Sequence, residues 1–130
     1  MEQQNKKIFI VDDDSFLLDM YALKFSKSNF DVTTALGSVT ALEKLRAGFE
    51  PDVMLLDIVM PEMDGFELME KMNEEKLALN TFRIVLSNRG QPSDISRGKD
   101  LGAVGYIVKA SSTPGEVIEK VEKIINDIKK

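Results

Sequence analysis

Val53-Met54-Leu55-Leu56-Asp57-Ile58-Val59-Met60-Pro61-Glu62-Met63-Asp64-Gly65 is the stretch from which the fold can be read. Four apolar residues, Val53 to Leu56, run into a single acid, and a proline and a glycine follow. An apolar run this short, closed by turn residues, predicts a strand buried on both faces, as in a parallel sheet. A carboxylate placed where such a strand leaves the sheet is costly unless something pairs with it. In open α/β sheets that edge is also where ligands bind. Asp57 therefore needs partners.

Working outward, Ile8 to Val11 predicts another buried strand, and it ends in Asp12, Asp13 and Asp14. A helix capped by Asp14 or Ser15 follows, with Phe16, Leu17, Leu18, Met20, Tyr21, Leu23 and Phe25 as a broad apolar face, ending near Asn29. Asp31 to Ala35 is a more polar strand with two threonines, as suits a sheet edge. Ser38 is expected to cap the next helix, in which Val39, Leu42 and Leu45 stack before Gly48 stops it.

Downstream of the opening stretch, Asp64 and Glu67 have capping-box spacing, and Phe66, Leu68, Met69 and Met72 form an apolar stripe. Phe82 to Leu86 is a strand ending at Ser87. Within residues 88 to 103 a short, weakly held helix is expected, with Pro92 at its first position and Ile95 and Leu101 as anchors. Gly98 in that helix costs about 1 kcal/mol relative to Ala. Val104 to Val108 is the last strand, ending at Lys109. Thr113-Pro114-Gly115-Glu116 then starts a helix whose expected inner face is Val117, Val121, Ile124 and Ile128.

Five strand–helix alternations imply right-handed crossovers and a parallel sheet covered on both faces. The expected fold is α/β: a flavodoxin-like (βα)5 three-layer sandwich, strand order 2-1-3-4-5, as one domain over residues 1–130 with an ordered core of about 6–128. A chain of 130 residues buries enough surface to need no metal or disulfide for stability. It has no cysteine and no histidine, which excludes thiol nucleophiles, histidine acid–base catalysis and histidine-ligated metals. The net charge of −5 argues against direct nucleic-acid binding. No apolar stretch is long enough for a membrane span, and the polar start does not read as a signal peptide, so a cytoplasmic location is expected.

In a parallel sheet the strand-end residues Asp12, Asp13, Asp57, Ser87 and Lys109 become neighbours. Three carboxylates close together repel, and an all-oxygen set favours Mg²⁺, or Mn²⁺ in its place, over zinc. Lys109 and Ser87 suit the oxygens of a tetrahedral anion, which points to phosphoryl transfer. Against this, Asp14 and Ser15 read best as cap residues, and the methionines as core filler.

Four segments in order, Ile10-Val11-Asp12-Asp13-Asp14, Leu56 to Gly65, Val85-Leu86-Ser87 and Gly105-Tyr106-Ile107-Val108-Lys109, resemble the receiver domain of two-component response regulators. The size is similar to that of stand-alone chemotaxis regulators. The resemblance implies that Asp57 is the phospho-acceptor, and that Asp13, Asp57 and the Val59 backbone carbonyl bind Mg²⁺ directly, with Asp12 acting through a water. It further implies that Ser87 and Lys109 hold the phosphoryl group and that Ser87 and Tyr106 form a switch pair. A histidine kinase or phosphotransfer protein would be the donor. A downstream protein or linked output domain would read the face made by the fourth helix, fifth strand and fifth helix, and phosphorylation-dependent dimerisation belongs to the same set of expectations. Self-phosphorylation from a small phosphodonor and slow self-dephosphorylation are expected rather than conventional turnover.

Three departures from the family pattern involve four residues. Ala110 stands where a proline usually follows the lysine, which leaves the isomer of the Lys109–Ala110 bond open. Asn88 is larger than the usual small residue. Val59 and Arg89 occupy the two positions that tune acyl-phosphate hydrolysis, and an apolar Val59 does not orient a water. Rival readings are a haloacid-dehalogenase-like phosphohydrolase, a flavodoxin-like FMN carrier and a docking module that takes no phosphate. The first normally needs a longer chain with a cap, and the three acids would repel the FMN phosphate of the second.

Overall fold

The computed structural model describes residues 5–128, so the outermost residues of the expected 1–130 domain lie outside the described residues. Strands β1 (Lys6–Asp12), β2 (Phe30–Leu36), β3 (Val53–Leu56), β4 (Phe82–Ser87) and β5 (Ala103–Val108) form one parallel sheet in order β2-β1-β3-β4-β5. Helices α1 (Ser15–Lys27), α2 (Ser38–Arg46), α3 (Gly65–Glu75), α4 (Pro92–Asp100) and α5 (Pro114–Ile128) alternate with them. The expected fold class and strand order are what the structure has, and β2 is the polar edge.

Alternate residues of the central strands feed two separate cores. Phe9, Val11, Met54, Leu56 and Val85 pack with the inner faces of α2 and α3. Ile8, Ile10, Val53, Leu55, Ile84, Leu86 and Ile107 pack with α1 and α5. All four residues of β3 are fully buried, which is why its sequence is an unbroken apolar run. With layers on both faces, the ends of β1, β3, β4 and β5 are left open at one edge.

Local signals set the helix starts. Asp14, not Ser15, caps α1, accepting from the N–H groups of Phe16 and Leu17. Asp64 and Glu67 close the expected capping box of α3, and Thr113 and Glu116 do the same for α5. Pro92 is the first residue of α4, and Lys109–Ser111 forms a 3₁₀ turn with no cis peptide bond among the described residues.

Several expected anchors face outward instead. Phe16, Leu23 and Val39 are exposed, and Ile95 is 43% exposed although α4 was expected to lean on it. Ser38 is not a cap but the buried first residue of α2, where Gly37 at φ +92° takes the cap position and the Ser38 hydroxyl donates to the Met63 carbonyl at 2.5 Å. In α5 the buried face is Val117, Ile118, Val121 and Ile125, with Ile124 partly buried and Ile128 exposed. For the apolar residues Phe16, Leu23, Val39, Ile95 and Ile128 the reason is the same. Helical spacing marks an apolar side, but the direction in which the sheet meets the helix decides which residues of that side turn inward.

Candidate functional site

At the open edge, β1 ends in Asp12 and β3 passes into Asp57, both buried, while Asp13 is exposed beside them. One carboxylate oxygen from each of Asp12, Asp13 and Asp57 lies within 4.8 Å of the other two. The Lys109 ammonium donates to Asp12 Oδ2 at 2.8 Å and to Asp57 Oδ2 at 2.9 Å, bridging the ends of three strands. Three carboxylates against one ammonium leave 3 − 1 = 2 uncompensated negative charges. A divalent cation would neutralise them, and the all-oxygen donor set fits a hard one. The residues present are compatible with a metal site.

Burial raises the Asp12 carboxyl above its ordinary pKa, and the hydrogen bonds from Lys109 and the Asp14 N–H only partly oppose it. Burial works to lower Lys109, but its hydrogen bonds to Asp12 and Asp57 outweigh that and hold the ammonium above its ordinary value. Lys109 is therefore a fixed positive charge at neutral pH.

The loop after β3 aims Asp57. Its Oδ1 accepts from the N–H groups of Ile58 at 2.7 Å and Val59 at 3.3 Å, while its own N–H donates to the Val11 carbonyl. Gly65 N–H closes the loop on the Ile58 carbonyl at 2.9 Å. A Cβ at Gly65 would stand 2.3 Å from the Asp57 carbonyl oxygen and 2.9 Å from the Ile58 Cα, so only glycine allows this closure. Sequence reasoning read Gly65 as a turn residue and missed this close approach. The Asp64-Gly65 pair was the available signal.

Ser87 is fully buried at the end of β4, and its hydroxyl oxygen accepts from the Arg89 N–H at 3.2 Å. Tyr106 on β5 is half-buried, lies against Gly98 of α4, and its hydroxyl donates to the Arg89 carbonyl. Burial raises the Tyr106 hydroxyl above its usual value. Ser87 and Tyr106 thus meet on one residue, and no hydrogen bond joins either to Asp57. Val59 is exposed. The Arg89 guanidinium pairs with the buried carboxylate of Asp94 at 2.8 Å and lies 5.7 Å from the Phe66 ring centroid. Arg97 covers the same ring at 4.5 Å. Asp94 and Arg97 were not among the sequence-derived site residues.

Residues 8–122 match the family model described as the response regulator receiver domain. This chain belongs to that family. The receiver is 32% identical over 121 residues to the alkaline phosphatase synthesis transcriptional regulatory protein PhoP of Bacillus subtilis, covering 93% of the chain and 49% of that protein. The receiver spans about half the length of the curated relatives it matches. Among solved structures it is similar to the receiver domain of the Francisella response regulator 1452, with TM-score 0.82 and 27% identity, covering 95% of this chain and 99% of that one. It is similar also to a CheY-like receiver domain protein from Methanospirillum hungatei, with TM-score 0.82 and 28% identity, covering 96% and 98%. No helix among the described residues is long and apolar enough to cross a membrane.

Proposed function

We propose that Asp57 is the phospho-acceptor of a phosphorylation-controlled switch, and that the whole described span works as a single receiver unit. The observation that carries this is the pairing of a buried strand-end carboxylate with Lys109 and two further acids. An Asp57 oxygen forms the new O–P bond as the N–P bond of a phosphohistidine donor breaks, the donor nitrogen keeping the electron pair. That donor is a histidine kinase or phosphotransfer protein, since these 130 residues contain no histidine that could carry the phosphoryl group itself. Asp13, Asp57 and the Val59 carbonyl would hold Mg²⁺, with Asp12 acting through a water. The ion would supply charge neutralisation for the in-line group. Lys109 then exchanges its Asp57 contact for a phosphoryl oxygen, and the Ser87 hydroxyl donates to another. Tyr106 follows Ser87, and the change is read on α4, β5 and α5 by a protein target or a linked output domain, with phosphorylation-dependent dimerisation as one form of readout.

The experiment is to incubate the chain and Asp57→Asn with acetyl phosphate or beryllofluoride, with and without Mg²⁺, following mass and amide spectra. A Mg²⁺-dependent response lost in Asp57→Asn is expected. No response in either chain sinks the reading and leaves a docking module. Because Val59 is exposed and apolar, the label should be long-lived. Val59→Asn in the same assay should shorten its lifetime, and an unchanged lifetime removes the tuning role.

A further inference from the structure

Arg89 makes four contacts with four different parts of the fold. Its N–H donates to Ser87 Oγ, and its carbonyl accepts from the Tyr106 hydroxyl. Its guanidinium pairs with Asp94 in the first turn of α4 and faces the Phe66 ring at the start of α3. We infer that Arg89 is the residue through which the state of the Asp57 pocket reaches α4. Its main chain senses Ser87 and Tyr106, and its side chain holds the α4 N-terminus through Asp94. This rests on the phosphorylation reading above and deepens it.

The physical case begins with how α4 is attached. Within Pro92–Asp100 the buried residues are Asp94 and Gly98, the apolar Ile95 is 43% exposed, and only Leu101, just past the helix, packs partly buried against the core. Asp94 is a carboxylate with a side chain 9% exposed, and Arg89 is its ion-pair partner; its other bond is from the Gln91 N–H at 3.2 Å. A buried carboxylate deprived of its cation is strongly disfavoured, so α4 must adjust when Arg89 moves. A half-exposed ion pair on its own would be a minor surface contact. What distinguishes this pair is that the main chain of the same arginine carries both switch residues. The Ser87–Arg89 hydrogen bond, at 3.2 Å, is already at the long limit for N–H···O, so a small shift of Ser87 releases the Arg89 backbone. Coupling of this kind is reciprocal, so whatever binds the α4 face alters phosphoryl affinity by the same factor.

The test is hydrogen–deuterium exchange on the full chain, with and without saturating beryllofluoride and Mg²⁺, in the wild type, Asp94→Asn and Arg89→Gln. Asn at 94 keeps one acceptor oxygen for the Gln91 N–H and turns its NH2 toward Arg89, which removes the charge and the acceptor of the ion pair together. In the wild type, beryllofluoride should change exchange over residues 92–101 by about fivefold or more, the lower end of typical coupling. In both variants that ratio should collapse toward one, while the loop after Asp57 is still protected in Asp94→Asn. A ratio kept in either variant overturns the inference, including the case where α4 exchanges faster by an equal factor in both states. Protection of the Asp57 loop in the wild type without an α4 response also overturns it, and leaves the phosphorylation reading standing. No protection of that loop in the wild type fails the phosphorylation reading first, and this inference with it.

Discussion

Helices α3 and α4 lie one after the other in the chain and are both entered through a turn closed by an acid three residues in, yet they are attached to the sheet by different forces. Helix α3 buries Phe66, Leu68, Met69 and Met72 completely. Helix α4 buries one carboxylate and one glycine. Its N-terminal end is held by the Arg89–Asp94 pair, its middle lies beside the Tyr106 ring at Gly98, and at its C-terminal end the expected anchor Leu101 packs partly buried against the core while its carbonyl accepts from Arg83 and Asn73. Apolar burial is non-directional and hard to change in small steps, whereas ion pairs and hydrogen bonds can be exchanged for others at little net cost. On the switch proposed above, a fold that keeps Asp57 in place and moves another element benefits from having one helix of each kind. Elements drawn into switching come from the weakly held end of a structure, and α4 meets that description here.

The comparison breaks first if core truncation affects both helices alike. Met72→Ala in α3 should cost about 2–5 kcal/mol in chemical denaturation, while Ile95→Ala in α4, at an exposed position, should cost less than about 0.5 kcal/mol. Equal losses would show that α4 is anchored by apolar contacts after all.

A second pair of substitutions uses the two glycines. Gly65→Ala drives a Cβ into the Asp57 carbonyl, so a loss of about 1–3 kcal/mol is expected, along with a displaced β3–α3 loop. At Gly98 a Cβ would meet Tyr106 Cδ2 at 3.4 Å and Ala103 Cβ at 3.8 Å, which is ordinary packing. Gly98→Ala should therefore gain up to about 1 kcal/mol from helix propensity, read as a higher melting temperature. A loss at Gly98 as large as at Gly65 would mean that α4 is packed as tightly as α3.

The smallest expected effect is alkaline. Burial raises Tyr106 in the folded chain, so the folded state keeps its proton where the unfolded state has released it. That contribution is complete below the ordinary tyrosine value of about 10 and is lost as pH rises through the raised value. Lys109, also raised, loses its contribution in the same direction. In Tyr106→Phe the alkaline fall in melting temperature should be shallower than in the wild type, with the Lys109 part remaining. Identical slopes would show that burial does not hold the Tyr106 proton in the folded chain.

Much of this was legible beforehand because the signals were local. The unbroken run Val53 to Leu56, followed by Pro61 and Gly65, reads as a strand covered on both faces, and the Asp64–Glu67 and Thr113–Glu116 boxes fix helix starts within four residues of chain. The acids and the lysine were legible as strand-end residues once the sheet was taken as parallel. The inward faces of α4 and α5 were not, because periodicity gives spacing and not rotation relative to the sheet. Ile95 and Ile128 turned outward, and Ile118 and Ile125 turned inward.

By itself, then, the sequence determined the elements, their alternation and the set of chemical groups at one edge, because hydrophobic runs and caps act within a few residues. Only the tertiary structure decided which groups touch. Lys109 reaches Asp12 across 97 residues of chain, and Arg89 gathers Ser87, Tyr106, Asp94 and Phe66 around itself. Such contacts depend on which strands lie side by side and on how far each side chain reaches, and no local pattern in the chain encodes either.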